Sequence, residues 1–214
     1  MQLKKINSNL QKALIENGIT EPNAVQAECF STLKSGADAV VVMSEGEGKS
    51  TTIVYTVIQK LEKAIGESTR ALIIVKDKEA VLEMVDLFEK FGKYTNLRVI
   101  GVTDKTDIDD EKNIISAGMD VLIGTPIKIN AMFSSAGFNM TTIKIFVVDD
   151  ADAIFKLRHE PIVQRLSLSV EKTQRIFFTA DLTERVEILA DKIMIEPFLF
   201  GVDDYDEEEE VEEF

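Results

Sequence analysis

Asp38-Ala-Val-Val-Val-Met43-Ser-Glu-Gly46-Glu-Gly48-Lys49-Ser50-Thr51 runs from an apolar, β-branched stretch into a glycine-rich turn and on into a helix-forming segment. A buried strand followed by such a turn lets backbone N–H groups surround an anion. The helix N-terminus adds a favourable field, a lysine reaches the outer phosphates, and a hydroxyl can ligate Mg²⁺. Gly46 and Gly48 permit close backbone approach, Lys49 is the candidate phosphate lysine, Ser50 the candidate Mg²⁺ ligand, and Thr51 continues the same first turn. Two residues strain the pattern. The general motif has glycine where Met43 stands, and Glu45 and Glu47 bring negative charge beside a phosphate site unless they face water. The plainer alternative is a glycine-rich turn next to a chance lysine.

The rest of the chain repeats this alternation. Short apolar runs at 38–43, 70–75, 98–102, 121–124, 143–148, 175–178 and 198–201 read as strands. Most are continuously apolar, as strands covered on both faces must be, which predicts an α/β fold with a parallel sheet flanked by helices on both faces. Between them, Asn7 or Ser8 caps a first helix that stops before Gly18, and Pro22 opens a second that stops at Gly36. Segments 49–65, 79–91, 126–134 and 183–193 read as further helices, with Thr125-Pro126 a cap followed by a first-turn proline.

A second candidate element lies at the end of the run 143–148, in Asp149-Asp150-Ala151-Asp152. Acids at a strand end, downstream of a phosphate loop, suit the handling of a phosphate-bound Mg²⁺. Asp149 would hold the metal, and Asp150 would stand where a base or water-orienting carboxylate is wanted. Read alone, the same acids are a helix N-terminus complementing its dipole.

Taken in order, Gly18-Ile-Thr-Glu-Pro22-Asn-Ala-Val-Gln26, the Lys49 loop, Thr125-Pro126, Asp149-Asp-Ala-Asp152 and Phe178-Thr-Ala-Asp181 resemble the N-terminal lobe of the DEAD-box RNA helicases. The resemblance spans residues 1–202 and implies a RecA-like P-loop NTPase fold that binds ATP with Mg²⁺. It implies that Gln26 reads adenine, that Asp150 is the catalytic carboxylate, and that Thr179 and Asp181 stand in the Ser-Ala-Thr motif that couples ATP state to RNA. Lys78, Thr125 and Lys128 are then the residues left to touch RNA phosphate. The departures are specific. Asp150 replaces a glutamate, and retracting that carboxylate by about 1 Å can cost roughly 10²-fold in rate. Pro-Thr-Arg-Glu-Leu-Ala stands as Lys76-Asp77-Lys78-Glu79-Ala80-Val81, Gly-Gly as Thr103-Asp104, and Thr-Pro-Gly-Arg as Thr125-Pro126-Ile127-Lys128. Lysine for arginine loses the planar, bidentate grip on phosphate. The aromatic residue that stacks on adenine in the family falls at Met1. The expectation is a single ATP-binding lobe with weak or absent hydrolysis and weak RNA contact. The alternatives are a non-catalytic interaction module, or a first lobe completed by a separate chain.

Bulk properties agree. The 214 residues suffice for one α/β domain and are too few for two, so a second lobe and autonomous helicase activity are not expected. The net charge is −14, of which nine acids fall in 203–214, leaving −5 on residues 1–202. A mildly acidic body argues against strong non-specific nucleic-acid binding. The acidic end, 203–214, reads as a disordered, solubilising tail or a docking peptide for a protein partner. The single cysteine, Cys29, excludes an intrachain disulfide and suits a reducing, cytoplasmic setting, and no apolar run reaches the length of a membrane span. Cys29 reads as a helix-packing residue and His159 as a surface histidine.

Overall fold

The structure is a computed structural model that describes residues 6–103 and 113–202. Met1, Asp104 and the acidic segment 203–214 lie outside the described residues. Seven strands form one parallel sheet: β1 (Ala39–Val42), β2 (Ala71–Ile74), β3 (Val99–Val102), β4 (Val121–Gly124), β5 (Ile145–Val148), β6 (Gln174–Thr179) and β7 (Phe198–Phe200), in the order β3-β4-β2-β5-β6-β1-β7. Strands β2, β4, β5 and β6 are buried along their whole length, which accounts for their unbroken apolar sequence.

Side chains alternate between two cores. Val41, Ile73, Ile123, Val147 and Ile176 point to one, filled by α1 (Ser8–Glu16), α2 (Ala24–Ser35), α3 (Lys49–Leu61) and α4 (Lys78–Gly92) through Leu10, Phe30, Ile58 and Phe88. Val40, Leu72, Leu122, Phe146 and Phe177 point to the other. That side is filled by α5 (Pro126–Ser134), α6 (Ala151–Lys156), α7 (Glu160–Leu168) and α8 (Glu184–Ile193), through Met132, Phe155, Leu166 and Leu189. The expected fold class holds: a parallel sheet with helices on both faces.

Several boundaries moved for identifiable reasons. Pro22 does not start α2; Asn23 caps it, accepting from the Gln26 N–H at 2.8 Å, and Pro22 precedes the cap. Helix α3 stops at Leu61, not at residue 65. Arg70 donates to the carbonyls of Leu61 and Lys63, and the Ile65 N–H donates to Asp120, so the chain is drawn off the helix axis there. Helix α6 is the one that the acids at 149–152 open when read alone, and α7 had no counterpart in the sequence reading. The first is six residues long, and Arg158, at φ 65°, breaks the run before the second.

Asp120 is the polar anchor of the sheet's far end. It is fully buried, receives Arg70 Nη2 at 2.6 Å and Arg98 Nε at 2.8 Å, and so ties the starts of β2, β3 and β4. Burial pushes its carboxyl up, but the two guanidinium groups and the Arg98 and Ile65 N–H groups outweigh it and hold the carboxyl below the usual carboxylate range. A depressed carboxyl adds stability at pH values above its unfolded pKa and loses it as pH falls through the folded one. Asp120→Asn is therefore expected to cost about 3 kcal/mol of urea-unfolding free energy at pH 7. The gap between variant and wild type should close as the pH is taken below the carboxylate range.

Candidate functional site

The Lys49 turn, Thr125-Pro126, Asp149–Asp152 and Thr179–Asp181 fall at the carboxyl ends of parallel strands, the edge where open α/β sheets bind ligands. The register aligns those ends: Val42 pairs with Thr179, Phe177 with Val148, and Val148 with Ile74.

The turn after β1 has the expected form. Met43 is 1% exposed, its N–H donates to the Thr179 carbonyl at 2.9 Å, and its φ is not in the left-handed region. Glycine is not needed at that position, and the methionine side chain is simply part of the core. Gly46 (φ 86°) and Gly48 (φ 81°) do need to be glycine, and a Cβ on Gly48 would also stand 3.0 Å from the Gln26 amide nitrogen. No side chain caps α3, which leaves the anion-attracting end of a 13-residue helix facing the turn. Glu45 and Glu47 are exposed, as a phosphate site requires of them. Glu47 nonetheless takes one loop donor, accepting from the Ser44 N–H at 2.7 Å.

The acidic strand end meets this turn. Lys49 Nζ lies 3.5 Å from Asp149 Oδ1 and is ion-paired to Asp150 Oδ1. Lys76, in the loop after β2, approaches Asp150 Oδ2 at 3.0 Å. Asp150 holds a left-handed backbone (φ 51°, ψ 50°), a conformation costly for a non-glycine residue and concentrated at functional sites. Asp149 is 4% exposed, and burial raises its carboxyl despite the opposing Lys49 ammonium. Behind them, Asp152 Oδ1 accepts from Thr179 Oγ1 at 2.8 Å and from the Ala180 N–H at 3.2 Å, so the end of β6 is tied to the acidic motif. Asp181 joins this network through its backbone carbonyl, which lies 2.8 Å from the Thr179 hydroxyl, while the residue itself is exposed.

Gln26 sits on the other side of the loop and is 8% exposed. Its Oε1 accepts from the Asn23 N–H at 3.1 Å, completing the capping box of α2, and its Nε2 donates to Thr52 Oγ1 at 3.0 Å. Two clefts flank the loop and share Gly46, Gly48 and Thr51. One, of about 460 Å³, is charged and lined by Lys49, Ser50, Lys76, Asp149 and Asp150. The other, of about 490 Å³, has a more apolar wall of Leu14, Ile19, Pro22 and Tyr55, with Gln26 at its edge. Each is of ordinary ligand size.

Residues 23–189 match the family model described as DEAD/DEAH box helicase. The chain belongs to that family. The matched stretch is the N-terminal, RecA-like, ATP-binding domain of the DEAD-box proteins, and the lobe is 24% identical over 90% of its length to the ATP-dependent RNA helicase eIF4A of Meyerozyma guilliermondii. It is 25% identical over 90% of its length to the ATP-dependent RNA helicase DHH1 of Coccidioides immitis. It covers 48% of the first protein and 38% of the second, so the chain spans about half or less of the length of these curated relatives. Two crystal structures share its fold. A DEAD box protein from Methanococcus jannaschii superposes with a TM-score of 0.85 at 19% identity, covering 91% of this chain and 54% of that one. The yeast DEAD-box splicing factor Prp28 gives 0.83 at 21%, covering 94% and 51%.

The positions expected from the sequence to touch RNA are only partly at the surface. Lys78 opens α4 and is half-buried. The Thr125 hydroxyl accepts from the Lys128 N–H at 3.4 Å as the cap of α5. Lys128 itself is 5% exposed, whereas its neighbour Ile127 is 57% exposed. Cys29 is buried against α2's neighbours and burial pushes its thiol up to about 12, as befits a packing residue. His159 is half-buried at the start of α7 and caps nothing with its side chain. The sequence reading missed Lys76 as a member of the site. Its only signal was a lysine where the family has proline. Among the described residues no helix is long and apolar enough to cross a membrane.

The raised carboxyl of Asp149 yields a stability prediction. A carboxyl raised by folding favours the folded state most at pH values below its unfolded pKa, and that contribution is lost as pH rises through the folded value. At pH 7 the buried charge is a net burden, so Asp149→Asn should raise the thermal unfolding midpoint of the ligand-free lobe by a few degrees. The two proteins should converge as the pH is lowered toward 4.

Proposed function

We propose that this lobe binds adenosine triphosphate with Mg²⁺, hydrolyses it weakly or not at all, and touches RNA weakly. The observation that carries the reading is the Lys49 ammonium, set on the glycine-rich turn and facing both Asp149 and Asp150 across a cleft of ligand size. The loop amides and Lys49 would hold the phosphates. Gln26, fixed between Asn23 and Thr52, would present its remaining hydrogen-bonding capacity to adenine.

The donor set fits a phosphate-borne magnesium. Among the described residues no three acidic, histidine or cysteine side chains form a ready cation site. Magnesium is commonly held by one or two carboxylates plus substrate phosphates, and the Asp149 carboxylate with the Ser50 hydroxyl supplies hard oxygen atoms of that kind. Bound there, the ion would offset phosphate charge.

Weak hydrolysis follows from Asp150. Its side chain is one methylene shorter than the family's glutamate, which retracts the carboxylate from the place where an attacking water must be held. The Thr179–Asp152 link is intact as a brace, with Asp181 in place of the motif's last threonine. For RNA, Lys78 and Thr125 remain the contacts of choice, with buried Lys128 contributing through α5. The relatives are about twice as long or more, and a second RecA-like lobe would complete the ATPase. Mixing candidate second lobes with this one should then raise ATP turnover above the sum of the two.

Calorimetric titration of ATP with Mg²⁺ tests the central reading. Wild type is expected to bind, Lys49→Ala to weaken binding by roughly 10–100-fold through loss of a charge-assisted contact, and Gln26→Ala by roughly tenfold. Wild type that takes up no heat with ATP, or Lys49→Ala that binds as well as wild type, would leave a helicase-shaped interaction module.

A further inference from the structure

Lys76 has no counterpart in the family pattern quoted above, where proline opens the corresponding motif. Here it lines the charged cleft and approaches Asp150 Oδ2 at 3.0 Å, while Lys49 is paired with Oδ1 of the same carboxylate. One anionic group thus bridges two ammonium groups. Its side chain is 17% exposed, against 12% for Lys49 and 44% for Lys76, so the arrangement opens to solvent from the Lys76 side.

Two ammonium groups spaced to receive the two oxygens of a carboxylate are also spaced to receive two oxygens of a phosphoryl group. That group carries more charge and a third acceptor oxygen, so it competes well for the same donors. Asp149, Asp152, Glu83 and Glu45 line the same cleft, so a second ammonium there favours an additional phosphate that these acids would otherwise repel. Lys49 extends from the glycine-rich turn, the seat of the inner phosphates; Lys76 lies on the far side of Asp150 from it.

We propose that Lys76 is a specificity-determining residue: with Lys49 it forms a two-lysine seat for the terminal phosphate of a nucleoside triphosphate, and Asp150 fills that seat when the terminal phosphate is absent. The inference rests on the nucleotide reading given above. A triphosphate displaces the Asp150 carboxylate from the lysines. A diphosphate, which ends short of the seat, leaves it in place. One anion replaces another, so neither ammonium is left without a partner in either state, and the lobe distinguishes tri- from diphosphate with its own side chains.

The test is a pair of calorimetric titrations, ATP and ADP, each with Mg²⁺, on the full chain as wild type, Lys76→Ala, Lys76→Arg, Asp150→Asn and Lys49→Ala. Lys76→Ala is expected to weaken ATP about tenfold and ADP less than about twofold, with Lys76→Arg keeping most of the ATP preference. Asp150→Asn, which removes the internal occupant, is expected to tighten ATP more than ADP. If wild type binds and Lys49→Ala does not, yet Lys76→Ala shifts ATP and ADP equally or moves neither, the two-lysine seat is wrong and the nucleotide reading stands. If Asp150→Asn leaves the ATP preference where it was, internal occupancy by Asp150 is wrong. If wild type binds neither nucleotide, both the seat and the nucleotide reading fall.

Discussion

A lysine ammonium placed between two carboxylates from a different strand is the interaction around which this lobe is arranged. Lys49 begins α3 directly after the turn that follows β1, while Asp149 and Asp150 follow β5, and β6 lies between those strands in the sheet. Only the parallel register, which brings the ends of β1, β5 and β6 to one level, lets a single side chain reach across. Thr179 at the end of β6 then braces the acidic motif from behind through Asp152. The charged contact is built on apolar packing: the strands beneath it are buried on both faces, so the ends they present are held rigidly.

The cleft is notable for what the protein's own carboxylates do there. Asp150 engages the two lysines, and Glu47 engages the Ser44 N–H. Each is an anion resting on a donor that could receive another anion. In a cleft with so many acids this balances the cations when no ligand is present, and it sets a threshold that an incoming anion must exceed. Asp149 contributes differently. It is nearly without solvent, and its burial opposes ionisation more than Lys49 favours it. Carboxyls perturbed in this way cluster at functional sites.

Much of this was legible in the residues. Continuous apolar runs gave the parallel sheet, and Gly46, Gly48 and Lys49 after the first of them marked the glycine-rich turn into α3. What was not legible depended on contacts remote in sequence. The end of α3 is set by Arg70 and Asp120, from 9 and 55 residues away from their acceptor and donor at Leu61 and Ile65. Lys128 is buried although its charge alone would place it at the surface. Met43 looked like a defect in a glycine motif because the motif encodes backbone freedom, and the structure shows a position that needs none. Gln26 was read for a ligand role alone, yet its Oε1 also caps α2, a local contact that the Asn23–Gln26 spacing could have revealed. Lys76 was passed over because a replaced motif residue was taken as a loss, not as a new charge.

The account stands on the turn at 43–51 receiving the phosphates while Lys49 faces the acidic strand end. Amide-resolved nuclear magnetic resonance of the ¹⁵N-labelled chain, titrated with ATP and Mg²⁺, tests that directly. The account predicts that the N–H signals of Ser44, Gly46, Gly48, Lys49 and Ser50 move first and furthest, followed by those of Asp149 and Asp150. Saturable shifts confined to other surfaces, with those signals unmoved, would contradict it.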